Sequence, residues 1–378
     1  MDPLVERMRG FGTTIFAEMS ALATATDSIN LGQGFPDTDG PPELLEAAAH
    51  AIRTGHNQYP PGPGIAELRQ AIATHQQRHY ALAYDPADEV LVTAGATEAI
   101  AAAVLALTGP DDEVVMFEPY YDSYAACVAL AGAERRTVTL RRDHDGWTFD
   151  PDDLNAAITR RTKAILLNTP HNPTGKVFTA AELQTIAAAA RQHDLIVIAD
   201  EVYEHLTFDG HAHTPIATLP GMRERTVTIS SAGKTFSVTG WKIGWACAPP
   251  PLLAAVRTVK QFLTYVNGAP FQPAVATALG TDLTAIAIGL QRQRDLLCDG
   301  LSDLGFDVAR PQATYFATVD VKRNAIDFCR DLPHSSGVVA IPSSVFYDSA
   351  AGDTYVRFAF CKRPEVLADA LNRIKKAQ

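Results

Sequence analysis

Short, continuous apolar runs that alternate with helical stretches are the feature that most constrains this fold. Such runs occupy residues 89–93, 113–117, 163–168, 195–199 and 226–230. A strand with one exposed face alternates apolar and polar residues, whereas a strand covered by helices on both faces is apolar throughout. The pattern therefore predicts an α/β fold with a mainly parallel central sheet.

The character of the sequence changes after about residue 275. Longer and more charged helical stretches then flank two short strand candidates. The helical stretches cover residues 291–304 and 364–376, and the strand candidates cover residues 315–320 and 355–360. We therefore predict a large domain at residues 41–275 and a smaller α+β domain at residues 276–378. Residues 1–40 are expected to form an N-terminal arm and part of the small domain.

Composition excludes several classes of function. With 32 Lys and Arg against 43 Asp and Glu, the formal net charge is −11, whereas a nucleic-acid surface needs clustered basic residues. The five cysteines are widely spaced and form no C-x-x-C pair, which is typical of a reducing compartment. The N-terminus lacks the order of a signal peptide, and no run approaches the ~20 apolar residues of a spanning helix. We expect a cytoplasmic protein without a nucleic-acid or membrane partner.

Polar side chains follow three of the apolar runs at the point where each run ends. They lie in residues 169–175, 200–203 and 231–234. In an open parallel sheet, ligands bind at the carboxyl ends of the strands. Together the three junctions offer an amide, a carboxylate, a phenol, a hydroxyl and an amine. These groups suit an aromatic aldehyde cofactor that carries a phosphate.

Taken singly, several motifs have ordinary explanations. The Asn-Pro-Thr-Gly sequence is common turn chemistry, and an Asp at a strand end often caps a helix. Gly233 and Lys234 do not end a P-loop, because that motif needs a glycine where the chain has Thr228. His75 and His79 are four residues apart on a predicted helix, but no Glu lies between them, and we expect two solvated side chains. No metal site and no serine-hydrolase elbow are predicted.

The junctions belong to a longer series of motifs that resembles a known family. The matching segments are residues 30–37, 57–60, 171–175, 200–203, 230–245 and 355–362. In them the chain resembles pyridoxal-phosphate-dependent aminotransferases of fold type I, in the class I and II group. Within that group it most resembles two subgroups, the N-succinyldiaminopimelate aminotransferases and the kynurenine or glutamine transaminases. The resemblance implies that the large domain has the fold type I sheet and binds the cofactor.

The resemblance assigns the central chemistry to four residues. Lys234 matches the lysine that forms the internal aldimine, which requires an amine with a lowered pKa. Asp200 matches the carboxylate that keeps the pyridine nitrogen protonated, so that the ring withdraws electrons. Tyr203 and Asn172 match the hydrogen-bond partners of the 3-oxygen of the ring.

The resemblance also implies a phosphate site. It consists of Ser231, Lys242 and the backbone N–H groups of Gly95, Ala96 and Thr97, which begin a predicted helix. A helix N-terminus with free N–H groups suits a dianion. Many relatives carry Arg at the position of Lys242. In this chain the ammonium of Lys242, a point charge, therefore replaces a guanidinium that can bind with two hydrogen bonds.

The remaining implied contacts involve the cofactor ring, the substrate and a second subunit. Tyr121 matches the aromatic residue that stacks on the ring. Arg357 matches the fork for the substrate α-carboxylate, with Gly34 beside it. Phe16 aligns with an aromatic residue of the segment that closes over the substrate. Tyr59 matches a residue that reaches the phosphate of the neighbouring subunit, which implies a homodimer with shared sites.

The implied activity is ping-pong transfer of an amino group from an L-amino acid to a 2-oxo acid, in amino-acid metabolism or biosynthesis. The donor suggested by the resemblance is N-succinyl-diaminopimelate, with 2-oxoglutarate as acceptor. Kynurenine, glutamine or methionine transamination remains open, as does cysteine-S-conjugate β-lysis at the same site. A non-catalytic sensor domain is disfavoured, because residues 1–30 are too few for the basic winged-helix module that such regulators carry.

Overall fold

The structure is a computed structural model that describes residues 3–12, 14–144 and 146–377. Its strands are β1 (Ile29–Asn30), β2 (Val90–Ala94), β3 (Glu113–Glu118), β4 (Glu134–Thr139), β5 (Arg141–Asp143), β6 (Gly146–Thr148), β7 (Thr162–Asn168), β8 (Ile196–Asp200), β9 (Thr226–Ser231), β10 (Ile243–Cys247), β11 (Asp307–Ala309), β12 (Phe316–Asp320), β13 (Val338–Val339), β14 (Ile341–Pro342) and β15 (Tyr355–Ala359). Its α-helices are α1 (Ile15–Ala25), α2 (Pro42–Arg53), α3 (Ala66–Tyr80), α4 (Gly95–Leu107), α5 (Asp122–Ala131), α6 (Pro151–Ala157), α7 (Ala180–Gln192), α8 (Ala232–Thr235), α9 (Pro250–Leu263), α10 (Phe271–Ala278), α11 (Thr284–Asp303), α12 (Ala325–Ser336) and α13 (Pro364–Ala377).

The central sheet has seven strands in the order β2-β10-β9-β8-β7-β3-β4. Its neighbours pair in parallel, except that β10 runs antiparallel to both β2 and β9. Asn168 at the end of β7 lies opposite Asp200 at the end of β8. The carboxyl ends of β2, β7, β8 and β9 therefore meet at one edge of the sheet, where β10 begins. The prediction of a mainly parallel α/β sheet is confirmed.

Helices cover both faces of this sheet, as the continuous apolar runs predict. Successive side chains of a strand point to opposite faces. Val114 and Met116 of β3 pack in a cluster with residues of α4, α5 and α9. Val115 and Phe117 pack in a cluster with residues of α6 and α7 on the other face. Both faces of the strand are thus buried, which explains why apolar and polar residues do not alternate along it.

The predicted strands agree with the observed ones to within one residue at most ends. A capping box begins helix α7, with the Thr179 hydroxyl accepting from the backbone N–H of Glu182. Strand β10 was not predicted, although four of its five residues are apolar, because Gly244 breaks the apolar run. The expectation that both helix α3 histidines are solvated is wrong for His75, which lies buried against the sheet beside Trp245.

The C-terminal part of the chain forms a second, four-stranded antiparallel sheet in the order β11-β12-β15-β14. The N-terminal strand β1 pairs in parallel with β13 near this sheet, and Met19, Ala23 and Leu31 join its apolar cluster. We keep the division at residues 40 and 275 as a proposal. Within the described ranges, we find no helix whose length and apolar character would let it span a bilayer.

Candidate active site

A cavity of about 390 Å³ opens at the edge where the parallel strands of the central sheet end. Every residue that the sequence predicted for the site lines it, apart from Tyr59. These lining residues are Phe16, Gly34, Gly95, Ala96, Thr97, Tyr121, Asn172, Asp200, Tyr203, Ser231, Lys234, Lys242 and Arg357. Segments that are more than three hundred residues apart in sequence therefore meet around one space.

Lys234 supplies the amine of the cavity. It lies on the short helix α8, directly after β9, and its Nζ donates a hydrogen bond to the hydroxyl of Tyr315 at 2.8 Å. The Tyr315 hydroxyl donates in turn to the carbonyl oxygen of Gly34 at 2.7 Å. Burial lowers the pKa of Lys234 to about 8, and the positive charge of Arg357 lowers it as well, while Asp200 opposes the shift. A substantial fraction of this amine is neutral near pH 7, as a nucleophile requires.

Asp200 supplies a buried carboxylate at the end of β8. Its Oδ2 accepts a hydrogen bond from the Tyr124 hydroxyl at 2.6 Å, and its Oδ1 accepts from the backbone N–H of Val202 at 3.2 Å. Burial raises the pKa of Asp200, although both hydrogen bonds and the charge of Lys234 act to lower it. A cationic group that binds next to this carboxylate would stabilise its charged form.

Two asparagines organise the loop that follows β7. Asn168 donates from Nδ2 to the carbonyl oxygen of Asp200 and accepts from the backbone N–H of Asn172 through Oδ1. Asn172 is thereby fixed with its side chain in the cavity, where its Oδ1 accepts from Nη1 of Arg357 at 3.2 Å. The ring of Tyr203 lies edge-on to the ring of Tyr315, with 5.3 Å between their centroids.

One end of the cavity is formed by the N-terminus of helix α4. Within the described residues, the N-cap residue Ala94 has no side chain that caps this helix, although Glu98 accepts from the backbone N–H of Ala94. Lys242 points its Nζ toward the Thr97 hydroxyl at 3.4 Å, and Ser231 lines the same end. A Cβ at Gly244 would lie 2.5 Å from the carbonyl carbon of Gly95, so only glycine lets β10 pass this close to the helix start. Backbone N–H groups at a helix N-terminus, a hydroxyl and an ammonium are together a chemistry that suits an anion.

Arg357 supplies a buried guanidinium on strand β15. It is 2% exposed, and its Nη2 donates to the carbonyl oxygen of Gly32 at 2.9 Å. Its Nε has no hydrogen-bond partner, and no carboxylate of the described chain lies within ion-pair distance of it. Burial lowers the pKa of Arg357 to about 10. Asp122 attracts this cation only at longer range. A buried cation without an ion-pair partner is costly, which favours a ligand carboxylate at this position.

Aromatic rings surround the guanidinium of Arg357. Its Cζ lies 4.0 Å from the ring centre of Phe316 and 5.1 Å from that of Phe16. A Cβ at Gly34 would lie 2.5 Å from the Phe316 ring, so a glycine is needed here to admit that ring. Tyr121 lines the cavity at the start of helix α5, edge-on to Tyr124. The end of the cavity at Arg357 is thus largely aromatic.

Tyr59 is the one predicted residue outside the cavity. It is 82% exposed and contacts the ring of Tyr265, with 5.7 Å between centroids. A residue that serves a neighbouring subunit would be exposed in a single chain, so its predicted role stays a prediction.

Sequence reasoning missed three residues that hold the site together. They are Tyr315, which binds Lys234, Tyr124, which binds Asp200, and Asn168, which orients Asn172. Tyr124 follows Tyr121 by three residues at a predicted helix start, and this spacing places both rings on one helical face. No local signal marked Tyr315, because its partner lies 81 residues earlier in the chain.

Comparison with known proteins gives a consistent result. The sequence model of the family described as aminotransferase class I and II matches residues 26–374. A probable N-succinyldiaminopimelate aminotransferase of Mycobacterium tuberculosis is 54% identical over 98% of this chain and 97% of its own length. A solved structure of N-succinyldiaminopimelate aminotransferase from that organism superposes with a TM-score of 0.97. The superposition covers 99% of this chain and 100% of the other. The methionine aminotransferase of Escherichia coli is 39% identical over 99% of both chains. Kynurenine–oxoglutarate transaminase 3 of Mus musculus is 38% identical over 98% of this chain and 89% of its own.

Proposed function

The chain belongs to the class I and II aminotransferases, which depend on pyridoxal 5′-phosphate, and we propose that its cavity holds this cofactor with Lys234 as the covalent attachment. The cavity residues fit the cofactor's three functional parts. The N-terminus of helix α4, with Ser231 and Lys242, suits the phosphate. Asp200 suits the ring nitrogen, because a protonated ring nitrogen is a cation that can pair with this buried carboxylate.

Tyr121 would provide the aromatic side chain beside the cofactor ring, and Tyr203 and Asn172 would hydrogen-bond the ring oxygen. When bound, the cofactor supplies an aldehyde that carries the amino group and a ring that withdraws electrons from it. The protein binds the substrate, orients it and moves the protons.

Lys234 moves the proton in this proposal. Its Nζ takes a proton from the α-carbon of the amino acid, and burial keeps its pKa at about 8, close to the working pH, where acid and base forms interconvert readily. The Tyr315 hydroxyl receives a hydrogen bond from Nζ and is itself anchored to Gly34. This chain of two hydrogen bonds holds the amine at a fixed place in the cavity.

Arg357 binds the α-carboxylate of the amino acid and then of the 2-oxo acid. The observation that carries this assignment is the buried guanidinium whose Nε is unpartnered and which has no carboxylate partner among the described residues. A planar fork recognises a carboxylate through two parallel hydrogen bonds. Asn172 shares Nη1 of the fork, so it positions the guanidinium that the substrate meets.

N-succinyl-diaminopimelate is the donor that we propose, with 2-oxoglutarate as the acceptor. The support is the 54% identity with the Mycobacterium tuberculosis relative. A second donor class has its own support in the cavity lining. The cationic side chains in the described lining are Lys234, Lys242 and Arg357, and each is already assigned, while Phe16, Phe35, Tyr121 and Phe316 offer aromatic surface. That surface suits an apolar donor such as methionine or kynurenine.

A panel of amino donors separates the two. Each donor is supplied with 2-oxoglutarate, and kcat/KM is measured for N-succinyl-diaminopimelate, methionine, kynurenine, glutamine and glutamate. Our proposal requires N-succinyl-diaminopimelate to exceed the others, by about 10-fold or more. Preference for methionine or kynurenine would replace the donor and leave the aminotransferase chemistry intact. Pyruvate and ammonia released from a cysteine conjugate without an acceptor would identify β-lysis.

We also propose a homodimer in which Tyr59 completes the phosphate site of the partner. The exposed aromatic rings of Tyr59, Phe262 and Tyr265 support this, because apolar side chains exposed near one another mark interaction surfaces. Co-expression of Lys234→Ala chains with Tyr59→Ala chains tests it. A mixed dimer has one site with both residues intact, so activity should exceed that of either variant alone. Activity no higher than the sum of the two variants would exclude sharing of Tyr59.

The cytoplasm is the compartment that we propose. All five cysteines are free and buried, which is the usual state in a reducing environment. Labelling of thiols in cell extracts, before and after reduction, would give the same count if this is correct.

A further inference from the structure

Three histidines meet between helix α3 and the segment after β8, outside the lining of the cavity. His75 and His79 lie one turn apart on helix α3, and His205 lies five residues after the end of β8. The Nε2 atoms of His75 and His205 are 2.6 Å apart, and ring nitrogens of all three lie within 4.8 Å of one another. We propose that these imidazoles bind one divalent transition-metal ion, with Zn²⁺ the best match.

The arrangement differs from ordinary surface histidines. His75 is only 2% exposed, His205 is half-buried and His79 is exposed. The ring centroids are 4.6 Å apart for His75 and His79 and 5.0 Å apart for His79 and His205. Two residues are therefore held rigidly by the fold, and the third leaves a path by which an ion enters from solvent.

The spacing of the nitrogens suits tetrahedral coordination. Zinc–nitrogen bonds of about 2.0–2.1 Å place two ligand nitrogens about 3.4 Å apart in a tetrahedron. The pair at 2.6 Å is closer than this, and the whole set lies within 4.8 Å. Side-chain movements of about 1 Å bring all three into place. Without an ion, the facing Nε2 atoms of His75 and His205 have to share one proton.

Glu204 supplies the negative charge that such a site needs. It is 4% exposed, and its Oε1 accepts from the Ser230 hydroxyl. Its Oε2 makes no hydrogen bond of ordinary length in the described part of the chain, although the Tyr80 hydroxyl lies near the carboxylate. Oε2 lies 3.9 Å from Nε2 of His205, and no described Lys or Arg forms an ion pair with Glu204. A buried carboxylate without a fixed cation favours a metal ion beside it.

The neighbouring Glu201 adds to this negative field. It is fully buried, its Oε2 pairs with His213 at 3.0 Å, and its Oε1 has no partner among the described residues. Imidazole ligands select zinc, copper, nickel or cobalt over magnesium and calcium, which prefer oxygen. Zinc would join helix α3 to the segment after β8, across 130 residues of sequence. This site is separate from the amino-transfer chemistry and does not depend on the donor.

The test is zinc uptake by the holoenzyme. After removal of metals with a chelator and dialysis against graded ZnSO₄, metal content per chain is measured by mass spectrometry. We expect one ion per wild-type chain and a loss of affinity of about 10- to 100-fold or more in His79→Gln. His79 is exposed, so this variant keeps the fold. His193→Gln, which removes an exposed histidine at the end of helix α7, is the matched control and should bind as the wild type does.

Two further measurements complete the test. Glu204→Gln should weaken zinc binding by about 10- to 100-fold, as loss of a supporting carboxylate does elsewhere. Co²⁺ in place of zinc should show the intense visible bands of a tetrahedral ion in the wild type and lose them in His79→Gln, while Mg²⁺ should not bind. The bound cofactor is the same in all variants, so its own affinity for metals cancels. Equal zinc uptake by wild type and His79→Gln, or no saturable uptake by the wild type, would overturn the proposal.

Discussion

Two buried polar sites flank the carboxyl end of strand β8, and they are opposite in charge. In the cavity, Arg357 is a buried cation that forms no ion pair with a carboxylate of the described residues, and Asp122 acts on it only at longer range. In the histidine cluster, Glu204 is an anion with no described Lys or Arg partner. An unpaired buried charge costs free energy unless a ligand of the opposite sign binds. The cavity therefore favours a carboxylate, and the histidine cluster favours a metal cation.

The alternation of side chains along β8 creates this division. Asp200 shares the face of Ile198, which packs with helices α4 and α5, and it bonds to Tyr124 from that side. Glu201 follows on the opposite face and bonds to His213. A single strand end thus serves two sites, because adjacent residues of a strand point in opposite directions. If the two sites are separate, changes on one face should leave the other unaffected.

The largest expected effect tests this separation from the cavity side. Lys234→Ala removes the amine that we propose binds the cofactor and moves the proton, so kcat should fall by about 10⁴-fold or more. The visible absorption that the cofactor acquires on bonding to the lysine should disappear as well. Zinc uptake should remain at one ion per chain.

Lys163→Ala is the control for this variant, because Lys163 is exposed on β7. Its activity should equal that of the wild type. Retained amino transfer in Lys234→Ala would end the assignment of the cavity, and lost zinc uptake would show that the two faces are coupled.

A second effect concerns the protonation of the same amine. Burial lowers the pKa of Lys234 from 10.5 to about 8, so about a tenth of it is neutral at pH 7, roughly 300-fold more than for an exposed lysine. In the cofactor-free chain, trapping of a small aldehyde at Lys234 with borohydride should rise with pH and reach half its maximum near pH 8. Mass spectrometry of the labelled peptide measures it, and labelling of Lys163 serves as the reference.

The sign of the stability effect follows from the same pKa. The folded chain binds fewer protons than the unfolded chain between about pH 8 and 10.5, so the cofactor-free protein should gain stability as pH rises through that window. A midpoint for aldehyde trapping near pH 10.5 would mean that Lys234 is hydrated. It would contradict the claim that the cavity is less hydrated than the protein surface.

A third, smaller effect tests what the unpaired cation of the cavity is for. Arg357→Lys keeps the charge but replaces the planar fork with a point charge. We expect kcat/KM to fall by about 10- to 100-fold for both the amino acid and the 2-oxo acid, which corresponds to loss of one charge-assisted hydrogen bond. Cofactor affinity should change little, because Arg357 contacts Gly32 and Asn172 rather than the proposed phosphate end.

Arg160→Lys, at an exposed position, is the control and should leave both substrates unaffected. A similar loss of cofactor affinity and substrate affinity in Arg357→Lys would point to a general disturbance of the cavity. The assignment of the guanidinium to the carboxylate would then be withdrawn.

Much of this arrangement was predictable from the sequence, and the limit has a physical cause. Apolar runs locate strands, and the carboxyl ends of parallel strands share an edge, so Asp200, Ser231 and the loop at Asn172 could be placed together. Tyr315 directly precedes β12 of the other sheet, and only the folded chain brings it to Lys234. Likewise, the spacing of His75 and His79 was visible, but their burial and the approach of His205 depend on how helix α3 packs.

The smallest expected effect on kcat concerns a single hydroxyl group of the cavity, that of Tyr315. Tyr315→Phe removes the acceptor of the Lys234 hydrogen bond and the donor to Gly34, so kcat should fall by about 2- to 10-fold, as expected for one net hydrogen bond. Tyr84→Phe is the matched control. Its hydroxyl is also buried, has no partner within the described ranges and packs on the histidine face, so kcat should not change. Both substitutions remove one buried oxygen. A difference in kcat between the two variants therefore reports the contact of the hydroxyl with Lys234, and not the loss of a buried oxygen as such. Equal rates in both variants would mean that the fold alone, without Tyr315, holds the amine in place.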